Sequence, residues 1–153
     1  MATAVYNGLR FDTALLAQWA AFFDLAGWRW SRDVESIGDW KPDYRVSFDC
    51  GHSECNGSHT ILISVLPITD IETVKGHPAL RHFFGVTDAV GASIADAGAV
   101  FGVGPSVTCW QMSHGAGGGI EDATNWADDA GRLWIKAKAE VDLLGAKPLR
   151  GSD

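Results

Sequence analysis

From Leu15 to Ala26 the apolar residues recur at three- and four-residue steps. Leu15, Leu16, Trp19, Phe22, Phe23 and Ala26 make one stripe, the spacing of a helix that packs on a sheet. The pattern predicts a helix over Thr13–Ala26, with Asp12 as N-cap and Gly27 as its stop. Trp28–Trp30 read as a short strand, followed by a polar loop to Lys41-Pro42. Tyr44, Val46 and Phe48 then alternate with Arg45 and Ser47, the period of a half-buried strand. Thr60–Leu66 is almost continuously apolar and β-branched, as in a central strand covered on both faces. Thr69-Asp70-Ile71-Glu72 fits a capping box and opens a short helix ending near Gly76 or Pro78.

In the second half, Ala97–Val103 and Val107–Met112 are predicted strands separated by the turn Gly104-Pro105-Ser106. Ser113–Gly119 reads as a glycine-rich loop. A last helix is predicted from Trp126 to Leu144, with Trp126, Ala130, Leu133, Trp134, Ala137, Val141 and Leu144 on one stripe, and the tail KPLRGSD frays. This order of elements predicts an α/β (α+β) domain, a mixed central sheet flanked by helices. The 153 residues suit a single domain spanning 1–153.

Composition narrows the function classes. Hydrophobic residues at 46% and charged residues at 20% exclude a disordered tail or a coiled coil. Twelve basic against nineteen acidic residues give a net charge of −7, which argues against broad nucleic-acid binding, since neutralising phosphates needs surplus cations. No apolar stretch approaches the roughly 18–20 residues of a membrane span, and the start MATAVYNGLRF carries no secretory pattern. The expected location is cytoplasmic, with thiols reduced, and clustered thiols there suggest a metal before a disulfide.

Cys50, His52, Cys55 and His59 place two thiols and two imidazoles within ten residues, between two predicted strands. They are a candidate ligand set for a structural, tetrahedral Zn²⁺, with Gly51 and Gly57 giving the loop freedom to wrap an ion. The plainer reading is a metal-free loop with two thiols and two solvated histidines. Ser113-His114-Gly115-Ala116-Gly117-Gly118-Gly119 reads either as a backbone phosphate cradle or as a surface loop, and it lacks the Lys-Ser/Thr of a P-loop. Ser113, His114 and Cys109 would need a third, orienting group to act as a nucleophilic set. His77 and His82 flank Pro78 and are expected on a solvated turn.

Lys41-Pro42-Asp43-Tyr44 opens one predicted strand, and Ile61–Leu66 forms a second about twenty residues later. This is the layout of the PD-(D/E)XK restriction-endonuclease-like fold. There a strand-opening Asp meets a Glu and a Lys two residues apart on the next strand, on one face. The two carboxylates hold Mg²⁺ and the Lys positions the attacking water. From Tyr6 to Trp134 the chain resembles a family of small phage-encoded, RecB-like nucleases. Their first helix reads F-R-S-R-L-E-A-R-W-A-x-F-F, followed by P-D-F, by C-x-H-x-x-C-x-x-x-H and by V-E-V-K-P. The matching residues are Phe11, Leu15, Ala17, Trp19, Ala20, Phe22 and Phe23, then Pro42-Asp43-Tyr44, then Cys50, His52, Cys55 and His59, and finally Val65 and Pro67. Trp110-Gln111-Met112-Ser113-His114-Gly115 adds to the likeness.

The departures from that pattern carry the functional expectation. At the family's helix Glu stands Leu16, at its strand Glu stands Ser64, and at its Lys stands Leu66. Asp43 is the remnant of the catalytic set, and one carboxylate holds Mg²⁺ poorly. Asp12, Ala14 and Gln18 stand where the family tends to carry Arg. A migrated carboxylate is the alternative, with Glu35, Asp39, Asp49, Asp70 and Glu72 as candidates. The resemblance thus implies a catalytically inactive, nuclease-like phage protein in the host cytoplasm that works by binding. Its acidic balance points to a basic surface of a host protein complex, and its class suggests an inhibitor of host defence of the anti-CRISPR type. The competing expectation is a Mg²⁺-dependent DNase of phage recombination or DNA processing. A third is a structural zinc module within a larger phage assembly.

Overall fold

The computed structural model describes residues 3–51, 57–114 and 117–143. In chain order its elements are β1 (Ala4–Tyr6), β2 (Leu9–Phe11), α1 (Ala14–Ala26), β3 (Arg29–Ser31), β4 (Tyr44–Asp49), β5 (Ser58–Val65), β6 (Val86–Thr87), β7 (Ser93–Ala95), β8 (Ala97–Phe101), β9 (Thr108–His114), β10 (Gly117–Glu121), α2 (Ala130–Ala139) and β11 (Asp142–Leu143). The central six-stranded sheet has the order β10-β9-β8-β5-β4-β3. Within it β5 and β8 run parallel, and the other neighbours pair antiparallel. The molecule is therefore α+β with a mixed sheet.

Helix α1 carries the main core. Its N-cap is Thr13 rather than Asp12, because the Thr13 hydroxyl accepts the Leu16 N–H at 3.1 Å. Gly27 ends it in the left-handed region, at φ 78°, as expected. Trp19, Phe22 and Phe23 are fully buried against Tyr44, Phe101 and Trp28, and the Trp19 indole donates to the Gly102 carbonyl at 2.9 Å. Helix α2 adds Ala130, Ala137, Leu133 and Trp134 to the same core, so both helices cover one face of the sheet. The opposite face is closed by a second cluster, centred on Val34, Trp40, Leu62, Ala79, Val86 and Val100. It is roofed by two short 3-10 turns, Ile71–Val74 and Pro78–Arg81. Gly98 permits that roof to sit close, since a Cβ there would lie 2.4 Å from the Ala79 carbonyl oxygen.

Several expectations are corrected. The helix predicted to open at Thr69 is a single 3-10 turn capped by Asp70. The last helix is α2 alone. Trp126 ends a separate 3-10 turn, Ala123–Asn125, and Asp129 at φ 55° interrupts the helical path between them. Beyond Glu140 the chain becomes β11, which pairs with β1; Leu144 and the tail lie outside the described residues. Strands β1 and β2 form a hairpin outside the predicted elements. Asn7-Gly8, both at positive φ, form its two-residue turn.

Candidate metal centre and the surroundings of Asp43

Cys50 directly follows β4, His59 is the second residue of β5, and His114 ends β9. The pairing Phe48↔His59 and the bond from Cys50 N–H to the Gly57 carbonyl bring the first two together. His114 arrives from farther along the sheet. The β8–β9 pairing stops at Ala99↔Trp110, and His114 lies four residues farther along β9, where it pairs with Gly117 of β10. One ligand atom from each of the three residues lies within 4.8 Å of the others. Cys50 and His59 are buried, and His114 is partly buried. Trp126 packs on both imidazoles, with ring centroids 5.3 Å from His59 and 5.0 Å from His114. Its own indole is tied to Glu121 at 3.0 Å.

This cluster can hold a metal ion. Tetrahedral bonds of about 2.0–2.3 Å set ligand atoms roughly 3.3–3.8 Å apart, so modest rotamer closure suffices. A thiolate with two imidazoles suits a late divalent transition metal and does not suit Mg²⁺, which takes oxygen ligands. Of the expected ligands, Cys50 and His59 belong to the cluster, while His52 and Cys55 lie outside the described residues. His114 is the addition. The inward positions Thr108, Trp110 and Met112 of β9 continue with period two to His114, so extending the predicted strand by two residues would have placed it on the buried face.

The described residues of the glycine-rich segment form no phosphate cradle. They belong to the hairpin of β9 and β10, with backbone pairs Gly118↔Ser113 and Gly119↔Met112. Consecutive strand residues face opposite sides, so Ser113 and His114 do not act together. Burial, then the nearby Asp122 and Glu72 carboxylates, push the Cys109 thiol up, away from nucleophilic activation. His77 is not simply solvated either. Its Nδ1 accepts the Ala79 N–H at 3.0 Å, and burial lowers its pKa. His82 stacks on Trp40, centroids 5.1 Å apart.

Asp43 stands at the mouth of β4 beside β5. Its N–H donates to the Ile63 carbonyl at 2.7 Å, and its Oδ2 accepts the Val65 N–H at 2.8 Å. Burial raises the Asp43 pKa, opposed by the Val65 hydrogen bond and by His77. Together with Leu16, Arg10 and Arg32 it lines a recess of about 170 Å³. Ser64 is buried, and its hydroxyl accepts the Trp40 indole N–H at 2.7 Å. Leu66 packs into the second core cluster. Of the migrated-carboxylate candidates, Asp49 pairs with Arg29, Glu72 with Lys75, and Asp70 caps a turn. Among the described residues, Asp43 belongs to no group of three His, Cys, Asp or Glu side chains close enough to share an ion. No helix of the described chain is long and apolar enough to cross a membrane. Comparison of this chain with family models, with curated proteins and with solved structures gives no match.

Proposed function

We propose that this chain is a nuclease-like phage protein that does not cut, and that it acts by binding a protein partner through that partner's basic surface. The observation that carries the reading is the fate of the two β5 positions that the resemblance would pair with Asp43. The strand position that needs a Glu holds Ser64, whose hydroxyl serves as acceptor for Trp40, and the position that needs a Lys holds Leu66, packed among apolar groups. Asp43 itself supports the backbone of β5 through Val65. Ser64 and Leu66 cannot orient a water on Mg²⁺, and a lone carboxylate at Asp43 holds that ion poorly. Zn²⁺ held by Cys50, His59 and His114 would act as a structural staple joining the end of β4 to β5 and β9. A net charge of −7 favours a basic protein surface over bare DNA. By class and charge together, the role proposed is inhibition of a host defence complex, of anti-CRISPR type.

The test is affinity capture from a bacterial host lysate with the wild type and with Asp43→Ala. The reading expects the same protein, with the same salt sensitivity, on both baits. Recovery of a partner by the wild type alone, or of DNA without protein, would contradict it.

A further inference from the structure

We infer that Asp96 is the positioning residue of the metal centre: it fixes the His59 imidazole with Nδ1–H toward its own carboxylate, so that His59 takes the metal through Nε2. The inference rests on the metal reading of the Cys50, His59 and His114 cluster and extends it to a residue outside that cluster. Asp96 Oδ2 lies 3.3 Å from His59 Nδ1. The same oxygen accepts the Thr60 N–H at 2.8 Å, and the Asp96 N–H donates to the Thr60 carbonyl at 2.7 Å. Asp96 is thus locked to the residue next to the histidine by two bonds before it touches the ring at all. It is also the last residue before β8, whose parallel pairing with β5 begins at Ile61↔Ala97. Strand register therefore sets where the carboxylate stands.

The chemistry follows from the acceptor. A carboxylate can only accept here, so the ring nitrogen facing it carries the proton, and the other nitrogen is left with its lone pair. A carboxylate behind a ligating imidazole fixes the tautomer, holds the ring plane and raises the donor strength of the metal-facing nitrogen. The ring of His59 is confined on its other sides by Trp126 and Phe48, at 5.3 and 6.0 Å between centroids, so its orientation is set by packing and by charge together.

The experiment pairs two readouts on the full chain. Zn²⁺ affinity is measured by competition with a chromophoric chelator for the wild type, Asp96→Asn and Asp96→Ala. Nitrogen-15 spectra of the histidine rings identify the protonated and metal-bound nitrogens. The expected result is a protonated Nδ1 and a zinc-bound Nε2 on His59 in the wild type. Zinc binding should weaken by about 10–100-fold in Asp96→Asn, with little change in the melting temperature of the metal-free protein. The ring spectrum tests the inference even where a variant does not fold. Zinc on Nδ1 of His59, or equal affinity in Asp96→Asn, would overturn the role of Asp96 and leave the metal centre standing. A wild type that binds no zinc would overturn both.

Discussion

The Trp40 indole and the Ser64 hydroxyl share a hydrogen bond of 2.7 Å in the interior of the second core cluster, beside the strand mouth where Asp43 sits. Ser64 is thus a structural acceptor. Ser64→Ala should cost about 1–3 kcal/mol, since it strands a buried indole N–H. Ser64→Glu should cost more, because it adds an unpaired buried charge. Urea denaturation of the two variants checks this order, and a Ser64→Glu protein as stable as the wild type would show the position to be open.

Asp43 yields a pH prediction. Burial raises its folded pKa above the ordinary 3.8, so the folded state prefers the protonated form. The stability associated with that group is complete below about 3.8 and is lost as pH rises through the raised folded value. Asp43→Asn keeps an acceptor for the Val65 N–H and removes the buried charge. It should melt higher than the wild type at pH 7, and the gap should close as pH falls toward 3.8. A gap that widens in acid would reverse the sign.

Trp19 has no exposed surface and anchors α1 to the chain just past β8 through the Gly102 carbonyl. Trp19→Ala should lose about 3–5 kcal/mol, a large part of a typical domain's stability. Chemical denaturation measures it, and an unchanged midpoint would refute the assigned face.

How legible the chain was differed by element. The α1 stripe and the alternation of Tyr44, Val46 and Phe48 could be read directly, because each buries one periodic face against a single core. The last helix could not. Trp126 and Val141 fit its stripe, yet the left-handed Asp129 separates the first from α2, and Val141 follows the helix end. The hairpin at Asn7-Gly8 had a local signal in its turn residues. His114 was harder, since a short strand through glycine-rich sequence reads as a loop. Its partnership with Cys50 and His59 is made by the sheet across long sequence separation, which spacing along the chain does not reveal.

The metal centre makes a separate prediction. Freshly purified protein should carry about one zinc per chain, and a chelator should lower its melting temperature, because metal binding adds to folding free energy. His114→Ala should lower zinc content and melting temperature, whereas His77→Ala, whose ring caps a turn elsewhere, should leave zinc content unchanged. Elemental analysis decides it: under about 0.1 zinc per chain in the wild type would remove the staple from the account.

The most direct measurement is DNA cleavage by the purified wild type with Mg²⁺ and with Mn²⁺, alongside Asp43→Ala. With Ser64 holding Trp40 and Leu66 in the second core, neither protein should cut single- or double-stranded DNA with either ion. Divalent-ion-dependent cutting by the wild type that Asp43→Ala abolishes would contradict the account and make Asp43 a working catalytic residue.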